Sequence, residues 1–152
     1  SYVHAGIIKA CINREKRLQG KKEEITLSLN KENENAAYLC GRLFAVLEHL
    51  QQEASNNSLN RTIKDAYFAS ASSKPAQVFP NLLRLAQNHL GKVKTPNYYN
   101  IMIENIIDKL PGKFPDTLLL QDQGRFMIGY YQQLKSFFIK SEEKAKAEQG
   151  EE

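Results

Sequence analysis

Features that identify several common classes of protein are missing from this 152-residue sequence. No run of apolar residues approaches the roughly 20 that a membrane-spanning helix needs, and no basic-then-apolar signal sequence opens the chain. The two cysteines, Cys11 and Cys40, are too few for the disulfide framework of a small secreted domain. We therefore expect a protein of the reducing cytoplasm that has no contact with a membrane.

Residues that build catalytic, metal or cofactor sites are also scarce. The three histidines stand far apart in the sequence, and each is better explained as a surface or partly packed side chain than as a metal ligand. The acid pairs lie in polar segments, whereas a catalytic carboxylate needs burial or a close partner to tune its pKa. No glycine-rich phosphate loop is present; Gly124 and Gly129 lie inside a helical pattern, where close helix packing explains them. The sequence predicts no enzyme, metal site, cofactor or small-molecule substrate.

The spacing of apolar residues is helical along almost the whole chain and predicts an all-α fold, a compact single-domain bundle of five to six helices. The predicted helices cover residues 2–19, 36–54, 59–68, 75–90, 96–110 and 122–140. Either Pro75 or Pro80 begins the fourth helix and Gly91 ends it, while Thr95 caps the fifth helix before Pro96. The small residues at 69–74 are predicted to form a link.

Charge is distributed unevenly, although the net charge of +4 is small. Residues 1–31 carry +4 and residues 74–99 carry +4 with no acidic residue, whereas residues 32–73 and 100–152 each carry −2. Residues 141–152 contain five glutamates and no large apolar side chain, so we expect a disordered acidic tail after a helical domain at 1–140. Without that tail the chain carries +7, so the folded domain is more basic than the net charge indicates.

The acid-free segment places its polar residues on one face of a predicted helix. These residues recur at steps of three or four, opposite an apolar face; they are Lys74, Gln77, Asn81, Arg84, Asn88 and Lys92. Cationic and amide side chains suit contacts with phosphate and sugar, which position a nucleic-acid strand without reading its sequence. A solvated face of an amphipathic helix is the alternative, but the absence of acids favours nucleic-acid binding.

Two further features permit the same interpretation. Lys16 and Arg17 lie on a basic face of the first predicted helix, where Glu15 intervenes and a merely solvated face is an equally good explanation. Tyr98 and Tyr99 follow the acid-free helix and have rings that can stack on bases, although tyrosines at the start of a helix more often pack in the core.

Three stretches resemble, as an ordered set, one known family: AYLCGRLFAVLE (37–48), NRTIKDAYFASASSKPAQVFPNLLRLAQNHLGKV (60–93) and FPDTLLLQDQGRFMIGYYQQ (114–133). They are similar to the C-terminal region of the large-subunit protein of type I-C CRISPR surveillance complexes (Cascade). The resemblance covers most of residues 36–133 and rests on unusual strings such as YFASAS, VFPNLLRL and DQGRFMIGYY. Residues 1–35 and the acidic tail add little to it.

This resemblance implies a function. In this family the C-terminal helical region is also made as a separate protein, and its copies serve as small subunits between the guide-RNA backbone filament and the large subunit. They support the R-loop by contacting the target-bound duplex and the displaced DNA strand, while guide pairing supplies the sequence specificity. The expected partners are the backbone and large subunits, further copies of the chain, guide RNA, and target and displaced DNA.

Motifs and charge together give the candidate nucleic-acid contacts, which are Lys16, Arg17, Lys64, Lys74, Arg84, Lys92 and Lys94. Arg42 and Arg125 also lie in the motifs, but each is in an apolar helix, where a structural salt bridge or a subunit contact is at least as well supported. Two alternatives stay open. One is a purely structural protein–protein spacer, and the other is an excised C-terminal domain of the large subunit, since Ser1 is not an initiator methionine.

Overall fold

A computed structural model describes residues 28–150, and within this range the chain forms five helices and no strand. The helices are α1 (Ala36–Ala54), α2 (Ile63–Ser73), α3 (Pro75–Leu90), α4 (Pro96–Lys109) and α5 (Leu120–Gly150). The prediction of a single all-α domain is therefore confirmed. The helix predicted at residues 2–19 lies outside the described residues, and so do Lys16 and Arg17.

Helix α1 forms the centre of the bundle because its apolar residues occur on every side and not on one stripe. Asn35 caps it by accepting a hydrogen bond from the backbone N–H of Tyr38 at 3.1 Å. Between residues 37 and 50 only His49 is not fully buried. Helix α5 packs along α1, and α2, α3 and α4 contact its other sides. Cys40 lies in this core, where burial raises the pKa of its thiol to about 12.

Two glycines allow the backbones of α1 and α5 to touch. A Cβ atom on Gly41 would lie 1.9 Å from the carbonyl oxygen of Phe126, and one on Gly129 would lie 2.2 Å from that of Tyr38. Neither distance is compatible with a side chain. The prediction that close helix packing explains these glycines is thus confirmed for Gly129. It is wrong for Gly124, because a Cβ atom added there would have no neighbouring atom within 4 Å.

Phe44 joins four of the helices through aromatic contacts. Its ring centre lies 5.5 to 6.4 Å from those of Phe68, Phe79, Phe126 and Tyr130, which belong to α2, α3 and α5. All four pairs meet edge to face, a geometry that adds to the stabilisation from burial. The cluster fixes α3 against the core and so determines which of its faces is left in solvent.

Helix α2 begins and ends later than the apolar spacing predicts. It starts after Thr62, which forms a reciprocal capping box with Asp65. It then continues through residues 69–73, where the sequence predicted a link, because Ala71 is completely buried in the core. Serine hydroxyls in this segment bond to preceding carbonyls and do not interrupt the helix. Lys74 leaves the helical conformation, as expected of a residue before proline.

The boundaries of α3 and α4 agree with the prediction. Pro75 occupies the first position of α3, where a missing N–H costs nothing, and Pro80 lies inside the helix. Helix α3 ends before Gly91. Helix α4 begins at Pro96 with Thr95 at its N-cap position, as predicted, although the Thr95 side chain makes no capping hydrogen bond.

Helix α5 is longer than the sequence suggests. It has 31 residues and ends at Gly150, so the predicted boundary at Lys140 is wrong. Residues 141–150 are exposed throughout, which agrees with their lack of apolar side chains. Disorder of this acidic tail in solution stays a prediction. Neither α5 nor any other helix within residues 28–150 is long and apolar enough to cross a membrane.

Candidate nucleic-acid interface

Helix α3 presents to solvent the polar face that the sequence predicts. Its inner side is buried in the bundle through Pro75, Phe79, Leu82, Ala86 and Leu90. The exposed polar residues of the stripe are Lys74, Gln77, Arg84, Asn88 and Lys92, and Asn81 is half-buried among them. We call this surface, Lys74 to Lys92 with Lys94 just beyond, the α3 face.

The segment between α4 and α5 holds α3 in place. The backbone N–H of Ala76 donates to the carbonyl of Pro115 at 3.0 Å, and that of Leu118 donates to the carbonyl of Ser73 at 2.8 Å. The ring of Phe114 stacks on that of Phe79, with centres 5.0 Å apart and planes inclined by 10°. The α3 face is therefore carried by a helix that is fixed both at its start and on its buried side.

The cations of the α3 face have no acidic partner in the part of the chain that the structure describes. The ion pairs found there are Lys113–Asp116 and Arg125–Asp122, and neither involves the α3 face. Arg84 is oriented by Asn81, whose Oδ1 accepts a hydrogen bond from its Nη2 at 2.7 Å. Cations without an internal counterion leave their charge available to an external anion.

The length of the α3 face suits an extended ligand. At 1.5 Å of rise per residue, the distance from Lys74 to Lys92 is roughly 25 Å. Duplex DNA covers that length in about seven base pairs, at 3.4 Å along each strand. A backbone lying along α3 therefore meets several cationic and amide side chains in succession.

Lys64 is engaged elsewhere, on α2. Its Nζ lies 5.7, 5.1 and 5.3 Å from the ring centres of Phe68, Tyr130 and Tyr131. Its charge also favours ionisation of the buried carboxyl of Glu48. These contacts give Lys64 a structural role, and a contact between Lys64 and nucleic acid stays a prediction.

The two motif arginines differ. Arg125 forms a salt bridge with Asp122, with Nη1 and Oδ1 2.7 Å apart. This is the structural salt bridge that the sequence offered as one explanation of Arg125. Arg42 is buried, but no carboxylate of residues 28–150 lies within ion-pair distance of it. Its Nε instead donates to Oε1 of Gln133 at 3.1 Å. The salt bridge that the sequence allowed for Arg42 is therefore not found among the described residues.

The adjacent tyrosines have different surroundings. Tyr99 is fully buried, and its hydroxyl donates to Oε2 of Glu53 and lies 2.7 Å from Nδ1 of His49. It is a core residue with no ring face for a base. Tyr98 is 37% exposed, and the ammonium of Lys140 lies 5.3 Å from its ring centre.

The two histidines that the structure describes, His49 and His89, are partly buried. The ring of His49 stacks on that of Phe137, with centres 4.1 Å apart. Burial lowers the pKa of His49, which a charge on Glu53 partly opposes, and burial together with Lys92 lowers the pKa of His89. Among residues 28–150 no group of three or more His, Cys, Asp or Glu side chains is placed to hold a metal ion.

Helix α5 carries an apolar surface of which the sequence indicates only Phe138 as a candidate interface residue. Four large side chains lie at helical steps on one side of this helix and are 48% to 83% exposed; they are Leu120, Met127, Tyr131 and Phe138. We call this row the α5 apolar face. Isolated exposed apolar residues are common, but several on one side of a helix form a candidate contact surface. The spacing alone does not reveal it, because the neighbouring Phe126, Tyr130 and Phe137 are equally apolar and buried.

Comparison with models of protein families finds a match over residues 1–138 to the family described as CRISPR-associated protein (Cas_Csd1). The matched range includes α1 to α4, the α3 face and the α5 apolar face. A comparison with curated proteins finds no match.

Proposed function

We propose that this chain, which belongs to the family described as CRISPR-associated protein (Cas_Csd1), is a non-catalytic small subunit of a type I-C CRISPR RNA-guided DNA surveillance complex. In this role it stabilises the R-loop through contacts with the backbone of the target duplex and of the displaced strand. It also packs against neighbouring subunits, which are the backbone and large subunits and further copies of the chain.

The observation that supports this role is the α3 face. Lys74, Arg84, Lys92 and Lys94 have no carboxylate within ion-pair distance in the described part of the chain, and amide side chains lie between them. A displaced strand has no fixed sequence, so a protein that holds it needs cations and amides along the backbone and not groups that read bases. Guide RNA then provides the sequence specificity, and in this role the chain acts with its RNA and DNA in the cytoplasm.

The α5 apolar face supports the subunit contacts in the proposal. It also supports the second candidate function, a protein–protein spacer with no direct nucleic-acid role. In that case the cations of the α3 face meet acidic groups of neighbouring subunits. The two functions differ in what the loss of α3 cations does to the complex.

The test is the double variant Arg84→Gln/Lys92→Gln in the assembled complex. Its matched control is Lys113→Gln/Arg125→Gln, which removes equal charge from residues that are paired with Asp116 and Asp122. Target DNA affinity is measured over a series of salt concentrations, and native mass spectrometry counts the copies of the chain in each complex.

We expect the α3 variant to bind target DNA more weakly and to flatten the slope of log affinity against log salt. The change should be about 1.4 if the two lost contacts are to single-stranded DNA and about 1.8 if they are to duplex. The control should keep the wild-type slope. An unchanged slope together with loss of the chain from the complex would instead establish the spacer.

The non-catalytic part of the proposal has its own test. Purified chain is incubated with single- and double-stranded DNA and with guide RNA in magnesium or manganese. Intact nucleic acid is the expected result. Cleavage that follows the chain through purification would contradict it.

A further inference from the structure

A second basic surface of the chain lies away from the α3 face, in a cleft of about 820 Å³. Arg42 of α1 lines the cleft, together with side chains from α4, α5 and residues 28–32. A cleft of this volume is in the range of small-ligand sites. We call it the Arg42 cleft.

Arg42 is an unusual residue to find there. Its side chain is only 7% exposed, and its neighbours along α1 are core residues. A buried guanidinium stays charged, and removal of its hydration is unfavourable unless an anion and further hydrogen bonds replace the water. Burial accordingly lowers the pKa of Arg42, although the nearby Tyr38 opposes this.

The described part of the chain does not supply the missing anion. Glu32, Asp108 and Glu143 line the same cleft, but none is within ion-pair distance of Arg42. Its Nε donates to Gln133, and within residues 28–150 its two Nη atoms have no hydrogen-bond partner. Among the described residues no buried side-chain nitrogen lacks a hydrogen-bond partner, so the unpartnered Nη atoms are accessible to solvent. Arg42 lines the cleft, and its Nη atoms form the fork that can bind two oxygens at once.

The guanidinium is also held in a fixed orientation. Gln133 accepts from Nε of Arg42 at 3.1 Å and donates through Nε2 to the hydroxyl of Ser136 at 3.2 Å. That hydroxyl donates back to the carbonyl of Gln133 at 2.7 Å. A chain of hydrogen bonds on α5 thus aims Arg42 before any ligand arrives, which lowers the entropic cost of binding.

The other charges of the cleft indicate which anion fits. Four lysines line it besides Arg42, namely Lys31, Lys109, Lys135 and Lys140, against three carboxylates. An excess of cations suits a phosphate better than a single carboxylate: a terminal phosphate of a nucleotide carries three oxygens and up to two negative charges, and a nucleic-acid strand carries one charged phosphodiester for each nucleotide.

We propose that the Arg42 cleft binds a phosphate group, with the two Nη atoms of Arg42 donating to two of its oxygens. The group is either a phosphodiester of a nucleic-acid strand or the phosphate of a free nucleotide. Assignment to a strand rests on the proposed function; phosphate binding itself does not, because the α3 face takes no part in it.

The test compares the 152-residue chain with Arg42→Lys and Arg42→Met. Arg125→Gln is the control, because Arg125 is exposed and paired outside the cleft. Thermal unfolding is followed while inorganic phosphate replaces chloride at constant ionic strength. Once phosphate exceeds its dissociation constant, each tenfold increase should raise the Tm of wild type and of the control by about 3 to 6 °C.

Both Arg42 variants should lose most of this rise. The readout is the difference between the two buffers, so a lower starting Tm of Arg42→Met does not obscure it. Arg42→Lys keeps the charge but not the fork, so its binding of phosphate should weaken at least about tenfold. An Arg42→Lys response equal to wild type would overturn the proposal.

Three further probes identify the source of the phosphate. The strand and nucleotide probes are applied to the Arg84→Gln/Lys92→Gln variant, which weakens the α3 face. A labelled 12-nucleotide oligothymidylate that binds this variant and releases on additional Arg42→Lys substitution indicates a strand, and a mononucleotide that alone does so indicates a free nucleotide. Equal or better protection by polyglutamate would assign the cleft to an acidic protein and overturn phosphate binding. Arg84→Gln/Lys92→Gln should leave the phosphate response intact, so failure of the α3 face and failure of the Arg42 cleft are distinguishable.

Discussion

The hydroxyl of Tyr130 donates a hydrogen bond to the buried carboxylate of Glu48, across the contact between α5 and α1. Burial raises the pKa of Glu48, whereas this hydrogen bond and the charge of Lys64 lower it and Asp65 raises it. Glu48 is 5% exposed, so its ionisation depends on these few groups. The pair is a polar contact that the core tolerates because both members are satisfied.

Tyr130→Phe should lower the free energy of unfolding by about 1 to 3 kcal/mol at pH 7, because Glu48 loses the donor that stabilises its charge. Chemical denaturation measures the loss. Tyr131→Phe is the control, since its ring is half exposed and it should change little. Equal stabilities of Tyr130→Phe and wild type would show that the bond contributes nothing.

The loss in Tyr130→Phe should depend on pH. Because burial holds the folded-state pKa of Glu48 above the ordinary 4.5, its favourable contribution is complete below that pH and declines as the pH rises through the folded pKa. Without Tyr130 the folded pKa rises further. The difference between wild type and variant should therefore be small near pH 4 and grow toward pH 7, and a constant difference would contradict this.

The ionisation of His49 should make the free energy of unfolding depend on pH with the opposite sign. Burial holds its folded-state pKa below the ordinary 6.5, so its contribution to stability is complete above pH 6.5 and is lost as the pH falls through the folded pKa. His49→Gln should flatten the decline of the free energy of unfolding between pH 7 and pH 5. His89→Gln measures the part due to the second histidine, whose pKa is also lowered.

The glycines of α5 offer a matched pair. Gly129→Ala places a methyl group where the carbonyl oxygen of Tyr38 is 2.2 Å away, so the α1–α5 contact must open, at a cost of about 1 to 3 kcal/mol or more. Gly124→Ala adds the same group in open space on a helix and should stabilise the chain by about 0.5 to 1 kcal/mol. Thermal unfolding of both variants tests the opposite signs.

Lys64 can be separated from the α3 cations by its effect on stability. Lys64→Met removes a cation from above three rings and from near Glu48, so we expect a loss of about 1 kcal/mol. Lys74→Met removes an exposed cation and should stay within about 0.5 kcal/mol of wild type. If Lys64→Met had the same free energy of unfolding as wild type, Lys64 would have no structural role, and a contact with nucleic acid would be its one remaining predicted role.

Local patterns explain which parts of the fold the sequence predicts. The α3 face follows from a proline at the start of a helix, a glycine after its end and the absence of acids between them. The sequence predicts a link at residues 69–73 because small residues occur both in links and in helices. The burial of Ala71 in the core explains why this segment is helical. The end of α5 was misplaced because exposed helical turns leave no apolar periodicity.

The Arg42 cleft could not be predicted from the sequence, for a different reason. Arg42 stands in an apolar run, so its sequence context predicts burial with a structural partner. The cleft arises where α1, α4 and α5 meet residues 28–32, and no spacing along a single segment records that meeting. Gln133, which orients Arg42, is 91 residues away in the chain.

Helix α5 carries the hydrogen bonds that aim Arg42 and also the α5 apolar face. Because the backbone of Gly129 rests directly on that of Tyr38, α5 has no space in which to slide or roll against α1. We therefore expect α5 to stay fixed against α1, so that a protein bound to the α5 apolar face would not displace a phosphate bound in the Arg42 cleft. The two binding free energies should therefore add without allosteric coupling, so the chain would hold its neighbour and its nucleic acid at one constant separation.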